Sequence, residues 1–433
     1  MIVSIVIAAV TCLVMIAGIL FFPRINGKKF SVDTYWVIVL VGAVAMIASG
    51  KIDLDALWSA FTDSSAINPL KILLLFLSMT ILSIFLDEVG FFKYLANKAL
   101  RLAGRSQYKM FAILYWTVSI LTIFTSNDIV VLTFTPFICY FAKNAHIDPK
   151  PYLIAEFIAA NTMSMLFIIG NPTNIYIATS YHIGFIDYFL VMGLPTVASA
   201  AVSFLVLYLI FRKDLGAPVI AEPEEIGVKD KPMLAIGLAV LIVTTLFLIV
   251  GPYVNIDMWL VSVSAVGVLF LAISILSVKR RTCPRELGRT LKRAPWQLVP
   301  FVLSMFVLIL ALTENGVTDA IGNALGSGHT IWKYGALSFL SANVINNIPM
   351  SVLFCPIVGT LPESEVLRGV YATVVGSNLG AFLTPIGALA GIMWMSLLKR
   401  HDVKMRYIDF VKYGASVALP SLAASLGVLS LLL

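Results

Sequence analysis

Residues 69–97 read PLKILLLFLSMTILSIFLDEVGFFKYLAN, and residues 295–323 read PWQLVPFVLSMFVLILALTENGVTDAIGN. The two stretches match at a constant offset of 226 residues (295 minus 69). The identical pairs are Pro69/Pro295, Leu77/Leu303, Ser78/Ser304, Met79/Met305, Leu82/Leu308, Leu86/Leu312, Glu88/Glu314, Gly90/Gly316 and Asn97/Asn323. A similar stretch that returns after half a chain length indicates an internal repeat.

The composition indicates a membrane protein. Of 433 residues, 60% are hydrophobic and 12% are charged, whereas a soluble domain carries roughly 25% charged residues. Apolar runs of about 20 residues recur along the chain, as transmembrane helices require. The first run has no basic residues before it, so it predicts a helix rather than a cleavable signal peptide. The predicted spans are 2–22, 34–50, 70–87, 151–180, 184–211, 233–251, 257–277, 297–313, 366–398 and 407–431.

Two further apolar stretches, 108–142 and 331–360, have polar residues at their centres. Each half of these stretches is about 14–17 residues long, which is short for a crossing of a hydrocarbon core of about 30 Å. We therefore expect each stretch to form a re-entrant hairpin that enters and leaves on one side of the membrane.

The basic residues indicate the orientation. With the N-terminus outside, 25 of the 30 Lys and Arg residues fall on the cytoplasmic side, as the positive-inside rule requires. Both termini are then extracytoplasmic in the cell (inner) membrane, and the basic segment 279–293 is cytoplasmic. The net charge of +7 thus reflects membrane topology, and no nucleic-acid partner is expected.

These spans predict an all-α polytopic membrane protein with two inverted repeats, each of five transmembrane helices. The first repeat is 1–212, with hairpin 108–142 and broken helix 151–180. A polar cytoplasmic linker, 213–232, precedes the second repeat, 233–433, which has hairpin 331–360 and broken helix 366–398. An odd number of crossings per half inverts the second half, a pattern typical of secondary transporters.

Polar residues interrupt the apolar runs at matched places in the two halves. The breaks are FTSND (124–128), GNPTN (170–174), VINNIP (344–349) and LTPIG (383–387), and Asn161/Asn378 and Gly170/Gly387 also correspond. Helix ends at such breaks present partial charges of about half an elementary charge, and amide and hydroxyl side chains can donate and accept hydrogen bonds. The predicted substrate-binding residues are Thr125, Ser126, Asn127, Asn171, Thr173, Asn174, Asn346, Asn347, Ser377, Asn378 and Thr384.

Asp128 is the acidic residue that this topology places near the middle of the membrane. A carboxylate there is costly by about 2.5–3.5 kcal/mol or more and indicates function. Asp128 is therefore the predicted proton-coupling residue, and N-capping of the following helix is compatible with that role. Five other acidic residues lie near helix ends and are expected at the solvated interface: Asp87, Glu88, Glu156, Asp187 and Glu314.

Several of these segments resemble the arsenical pump membrane proteins, the arsenite and antimonite efflux permeases. The matching stretches are APWQLVPFVLSMF, LTENGVTDAIG, NVINNIPMSVL, VVGSNLGAFLTPIGALAGIMWMSLLKR, SNDIVVLTFTPF and LDEVGFFKYLANKALRLAGR. The resemblance implies the ion transporter superfamily, which also holds divalent-anion/sodium symporters and sodium/proton antiporters. It implies a scaffold and a mobile transport domain that contains both hairpins and both broken helices.

The resemblance favours proton-coupled efflux of arsenite or antimonite by alternating access. An anion transporter for a dicarboxylate or inorganic oxyanion, coupled to sodium or protons, is the alternative, and a sodium/proton antiporter is the third hypothesis. An enzyme is not expected, because the chain shows no nucleotide motif and its four cysteines have no metal-ligand spacing. No cofactor or metal is predicted. The expected partners are a small-molecule or ion substrate, protons or sodium, and the lipid bilayer; the resemblance also admits a cytoplasmic ATPase subunit, as in some arsenite pumps, and a homodimer.

Overall fold

The computed structural model describes residues 1–22, 24–26, 31–62, 68–216, 218, 228 and 230–433. The elements up to the centre of the chain are α1 (Ile2–Phe21), β1 (Arg24–Asn26), β2 (Ser31–Asp33), α2 (Thr34–Ala48), α3 (Leu54–Thr62), α4 (Pro69–Glu88), α5 (Phe91–Ala103), α6 (Gln107–Phe124), α7 (Asn127–Ala145), α8 (Lys150–Met163), α9 (Pro172–Ser180) and α10 (Phe185–Phe211). The remaining helices are α11 (Lys231–Val250), α12 (Met258–Lys279), α13 (Arg285–Arg293), α14 (Leu298–Glu314), α15 (Val317–Leu325), α16 (Thr330–Ile345), α17 (Asn347–Val358), α18 (Glu363–Gly380), α19 (Leu389–Arg400) and α20 (Tyr407–Leu432).

Many of these helices are suited to a bilayer. Seven stretches within the described residues are long and apolar enough to cross a membrane: Ile2–Phe21, Pro69–Glu88, Phe185–Phe211, Lys231–Val250, Met258–Lys279, Arg285–Glu314 and Tyr407–Leu432. Large apolar side chains on α1, α11 and α12 are exposed, as lipid-facing residues are, for example Leu13, Leu246 and Leu271. The predicted class, a multi-pass α-helical membrane protein, is confirmed. The side on which the termini lie stays a prediction.

A short two-stranded ribbon was not predicted. β1 and β2 pair antiparallel, with Ile25 opposite Val32. Arg24 donates from Nε to Asp33 Oδ1 at 3.0 Å and ties the ends of the ribbon together. The segment is too short and too polar to show the hydrophobic periodicity that identifies strands.

The order of elements after α3 occurs twice, because α4 to α10 recurs as α14 to α20. The matched glycines mark corresponding turns. Gly90, with φ 89°, precedes α5, and Gly316, with φ 70°, precedes α15. This left-handed backbone favours glycine, which has no Cβ to clash. The offset of 226 residues therefore corresponds to a repeat of structural elements, whereas the inversion of the halves in the membrane stays a prediction.

Helices of the two halves pack against each other in matching pairs. The contact between α2 and α14 has its equivalent in the contact between α12 and α4. Likewise, the contact between α7 and α19 has its equivalent in the contact between α17 and α9. The two long helices α10 and α20 also pack together, and the hydroxyls of Ser203 and Ser421 lie 2.7 Å apart between them. The halves therefore share one interior.

The matched glutamates Glu88 and Glu314 also bind the opposite half. Glu88, at the end of α4, accepts hydrogen bonds from Arg289 at 2.8 Å and Arg293 at 2.6 Å on α13. Glu314, at the end of α14, accepts one from the backbone N–H of Asp53, just before α3, at 3.1 Å. Glu88 thus holds α13, the short helix before α14. Glu314 holds the start of α3, the short helix before α4.

The structure describes both predicted hairpin segments but only part of the predicted linker. α6 has 18 residues and α7 has 19, longer than the predicted halves, because α7 continues past residue 142 to Ala145. α16 and α17 have 16 and 12 residues. Most of the predicted linker 213–232 lies outside the described residues. The re-entrant geometry and the repeat boundaries 1–212 and 233–433 stay predictions.

Candidate functional site

The first tip is an extended turn between α6 and α7. Thr125 and Ser126 have extended backbone, and both are buried, as is Asn127. Asn127 donates from Nδ2 to Oδ1 of Asn161 on α8 at 3.0 Å. The Thr125 hydroxyl donates to the carbonyl of Leu121 one turn earlier at 2.7 Å. This predicted site residue therefore also satisfies a carbonyl at the end of α6.

The first broken helix is interrupted over a longer segment than predicted. α8 ends at Met163, and α9 begins at Pro172, whereas the sequence placed the break at 170–174. The segment folds back so tightly that a Cβ on Gly170 would lie 2.2 Å from the carbonyl oxygen of Ser164. Asn174 Nδ2 donates to the same carbonyl at 2.8 Å and holds the loop closed.

Asn378 on α18 joins the two broken helices. Its Nδ2 donates to Oδ1 of Asn174 at 2.7 Å. Its Oδ1 accepts hydrogen bonds from Asn171 Nδ2 at 3.0 Å and from the Ser164 hydroxyl at 2.9 Å. Beside it, Ser377 donates to the hydroxyl of Thr173 at 3.1 Å. We call the resulting buried network the central amide cluster; its members are Asn127, Asn161, Ser164, Asn171, Thr173, Asn174, Ser377 and Asn378.

The second tip is bound to the second break, which extends from the end of α18 at Gly380 to the start of α19 at Leu389. Asn346 has a left-handed backbone, with φ 73°, and donates from Nδ2 to the carbonyl of Ile386 at 3.0 Å. The N–H of Asn347 donates to the carbonyl of Gly387 at 3.0 Å. Asn343 Oδ1 accepts from both the N–H and the hydroxyl of Thr384, at 3.0 and 2.8 Å.

The structure therefore brings the predicted site residues into two groups. Asn346, Asn347 and Thr384 belong to the second tip and break, and the other amides belong to the central amide cluster. Ser164 and Asn161 are members that the predicted site did not include. The sequence indicated Asn161, because it corresponds to Asn378 in the repeat. No feature of the sequence indicated Ser164, because it lies before the predicted break.

Two polar atoms at the first tip are buried without a partner in the described part of the chain, the Ser126 hydroxyl and Asn127 Oδ1. A buried polar group without a hydrogen bond costs roughly 1–3 kcal/mol. Native proteins leave few such atoms. These two atoms can therefore accept hydrogen bonds from a polar solute, and the hydroxyl can also donate one.

Asp128 is the second residue of α7 and is half-buried. Among the described residues its carboxylate forms no ion pair, and it lies within electrostatic range of Tyr35 on α2. Its backbone position in the first turn of α7 also matches the preference of helix N-termini for negative charge. Its charge is therefore not neutralised by a cationic side chain in the described part of the chain.

A cavity of about 970 Å³ reaches the second break. It is lined by Tyr35, Pro385 and Ile386 at one end. Charged residues from the segments predicted to be cytoplasmic also line it, namely Arg24, Asp33, Lys399, Asp402, Lys404 and Arg406. The cavity thus connects the second break with that side of the protein.

The expectation for Glu156 was wrong. The sequence suggested a solvated interfacial position, but Glu156 is 1% exposed. Its helix, α8, is covered by α6, α7, α10 and α18, so that nearly every residue along it is buried. Apolar periodicity could not reveal this, because a helix surrounded by protein on all sides has no polar face.

No group of three or more His, Cys, Asp and Glu side chains within the described ranges is placed to hold a metal ion. The buried thiols Cys139 and Cys355 lie on α7 and α17, outside the central amide cluster. The site accordingly consists of amides, hydroxyls, helix ends and one carboxylate.

Long apolar helices around buried polar breaks define a polytopic membrane transporter. The comparison with protein families agrees, because the family described as "Citrate transporter" (CitMHS) matches residues 34–367. The chain belongs to this family.

The chain is also similar to proteins named arsenical pump membrane protein, as the resemblance in its motifs predicted. It is 28% identical over 413 residues to one from Escherichia coli, covering 90% of this chain and 92% of the relative. It is 26% identical over 419 residues to one from Yersinia enterocolitica, covering 92% and 93%. Among solved structures, the YdaH transporter of Alcanivorax borkumensis, described as having an unusual topology, matches with a TM-score of 0.55 at 12% identity, over 99% of this chain and 97% of that one. That likeness concerns the fold alone.

Proposed function

We propose that the protein exports arsenite or antimonite in exchange for protons by alternating access. The observation that carries this proposal is the central amide cluster, a buried and uncharged set of amides and hydroxyls in which Asn127 Oδ1 has no partner among the described residues; the unpartnered Ser126 hydroxyl precedes it in the chain. The trihydroxide of trivalent arsenic is neutral at pH 7, and its hydroxyls donate and accept hydrogen bonds. A site of this kind matches such a solute without burying a net charge.

The chemistry of the site requires no thiol. Amide oxygens accept from the hydroxyls of the solute, and amide N–H groups donate to its oxygens. The names of the relatives, arsenical pump membrane proteins, support this substrate.

The cavity supports access from the cytoplasm. The second break lines it with Pro385 and Ile386, and the charged residues of its lining belong to segments that the positive-inside rule assigns to the cytoplasm. A solute entering here would meet the second break first. Release on the other side would then follow a movement of the tips and broken helices relative to α4 and α14.

Asp128 would carry the exchanged proton. Its side chain is half-buried, has no cationic partner among the described residues, and adjoins Asn127 of the central amide cluster. Protonation would remove a costly charge from the membrane interior. Proton and substrate would therefore bind in turn at the first tip.

One observation favours a second candidate, an anion transporter for a dicarboxylate or inorganic oxyanion. Four basic residues, Arg24, Lys399, Lys404 and Arg406, line the cavity against two acidic ones, Asp33 and Asp402, and a lining with a net positive charge attracts anions. The description of the family as citrate transporters supports this candidate.

A growth experiment separates the two. An arsenite-hypersensitive host carrying this protein should grow on arsenite, and the same cells should show no added uptake of citrate or succinate. Asn378→Ala should lose the resistance at equal membrane levels of protein. Uptake of citrate without arsenite resistance would support the anion transporter instead.

A further inference from the structure

A second carboxylate lies inside the helical bundle. Glu156 on α8 is 1% exposed, and Thr135 on α7 donates to it, with its hydroxyl 3.0 Å from each carboxylate oxygen. This contact and the Asn127–Asn161 bond are two ties between the same two helices. Along α8, Glu156 precedes Asn161 by five residues, or about 8 Å at 1.5 Å per residue.

The surroundings of Glu156 do not compensate a charge. Among the described residues no Lys, Arg or His pairs with it, and no charged group of the surrounding helices α6, α10, α18 and α19 acts on it. The titratable side chain that faces it from a neighbouring helix is the Cys139 thiol on α7. An ionised carboxylate has about four acceptor positions, and the donors near Glu156, from Thr135 and the indole of Trp394, are too few to satisfy all of them. The arrangement therefore fits a protonated carboxyl group in this conformation.

An unpartnered donor faces the same carboxyl group. The indole of Trp394 on α19 lies beside Glu156, is fully buried, and its Nε1 has no hydrogen-bond partner within the described part of the chain. It packs against Phe157, with ring centroids 5.2 Å apart. The indole already lies within range of Glu156, and a small approach of α19 to α8 would turn this contact into a full hydrogen bond; hydrogen bonds to the ionised form favour loss of the proton.

Helix α19 lies between Glu156 and the cavity. Met393 and Met395, on either side of Trp394 in the sequence, line the cavity. α19 thus contacts Glu156 through Trp394 and lines the cavity through Met393 and Met395. α8 begins at Lys150, on the predicted cytoplasmic side, so Glu156 lies between that side and the central amide cluster.

We propose that Glu156 is a second proton-binding site, which takes up a proton in the conformation described and releases it when α19 moves relative to α8 during transport. The inference rests on the proposed proton coupling and extends it from the tip residue Asp128 to a carboxyl group behind the central amide cluster. Proton transfer here breaks and forms only the O–H bond of the carboxyl group, with water in the cavity as donor and acceptor.

Infrared spectroscopy of the purified protein in liposomes tests the site without reference to transport. A carboxylic-acid C=O band should be present in wild type and in Asp128→Asn, absent in Glu156→Gln, and lost as pH is raised. Asp187→Asn, which alters an exposed acid at the start of α10, serves as the control and should leave the band unchanged. A spectrum without a band belonging to Glu156, or a band that persists at every pH at which the protein is folded, would overturn the proposal.

Flux measurements on the same liposomes test the role in coupling. Gln keeps the size and hydrogen-bonding capacity of Glu but cannot titrate, so Glu156→Gln should keep arsenite counterflow and lose flux driven by a pH gradient. Gradient-driven flux at the wild-type level in Glu156→Gln would show that Glu156 has a structural role alone and does not take part in proton coupling. If Glu156 behaves as proposed while Asp128→Asn keeps its pH dependence, the proposal for Asp128 fails and that for Glu156 stands.

Discussion

Asn378 and Asn174 are hydrogen-bonded at 2.7 Å, although they lie 204 residues apart in the chain. The bond joins the end of α18 to the start of α9, and so joins the broken helix of one half to that of the other. Both side chains are fully buried, and each acts as donor and acceptor at once. The central amide cluster therefore depends on the neutral amide at both positions.

Asn378→Asp should weaken the cluster. The carboxylate cannot donate, so Asn174 Oδ1 and the Val374 carbonyl, which accept from Asn378 at 2.7 and 2.8 Å, would face a negative oxygen. Each unsatisfied buried group costs roughly 1–3 kcal/mol. We expect a lower midpoint of thermal unfolding in detergent and loss of transport. Asn323→Asp, at an exposed position of α15, is the matched control and should change neither quantity.

The glycines of the two breaks should not tolerate a side chain. A Cβ on Gly170 would lie 2.2 Å from the Ser164 carbonyl oxygen, and one on Gly387 would lie 2.5 Å from the Gly380 carbonyl oxygen. Gly170→Ala and Gly387→Ala should each reduce transport and stability, because backbone atoms would have to move. Gly267→Ala on α12 is the control, since no atom lies within 4 Å of its added Cβ. Normal transport by both break variants would mean that the turns can relax.

The tips should bind substrate through Asn127 and Asn347. Asn127→Ala removes the unpartnered Oδ1 and the bond to Asn161, and Asn347→Ala removes a buried amide at the second tip. We expect each variant to lose transport while membrane levels of the protein stay unchanged. Ser425→Ala, at a buried position of α20 away from the breaks, should transport as wild type does. If both Asn127→Ala and Asn347→Ala transport normally, the substrate-binding site lies elsewhere.

The sequence predicted the class of protein well, because runs of about 20 apolar residues that recur along a whole chain are typical of membrane-spanning helices. Asn171, Asn174, Asn346 and Asn378 were visible in the sequence, because a polar residue interrupting an apolar run is conspicuous, and the structure buries all four; their binding of substrate stays a prediction. It could not locate Ser164, whose role comes from the loop that folds back toward Asn174. It misplaced Glu156, because burial on all sides of α8 is a property of packing and leaves no pattern in α8 itself. The short helices α5 and α15 were likewise missed, although their glycine turns were visible.

Native Cys283 can report the orientation. It is exposed and lies within the basic segment 279–293, which we predict to be cytoplasmic. An impermeant maleimide should label it in everted vesicles and not in intact cells, and Cys283→Ser should abolish the labelling. In that background, Ser327→Cys at an exposed position between α15 and α16 should label in intact cells. The reverse pattern would invert the predicted topology.

Arsenite flux in proteoliposomes under an imposed pH gradient tests the central claim most directly, when wild type and Asp128→Asn are compared. Wild type should move arsenite against the proton flow, and the flux should fall as the pH on the proton-donating side is raised, because fewer carriers are then protonated. Asp128→Asn should keep counterflow, since Asn retains the size and one acceptor, but its flux should not respond to the gradient. Arsenite flux by wild type that ignores the gradient, or an unaltered pH response in Asp128→Asn, would contradict proton-coupled export through this site.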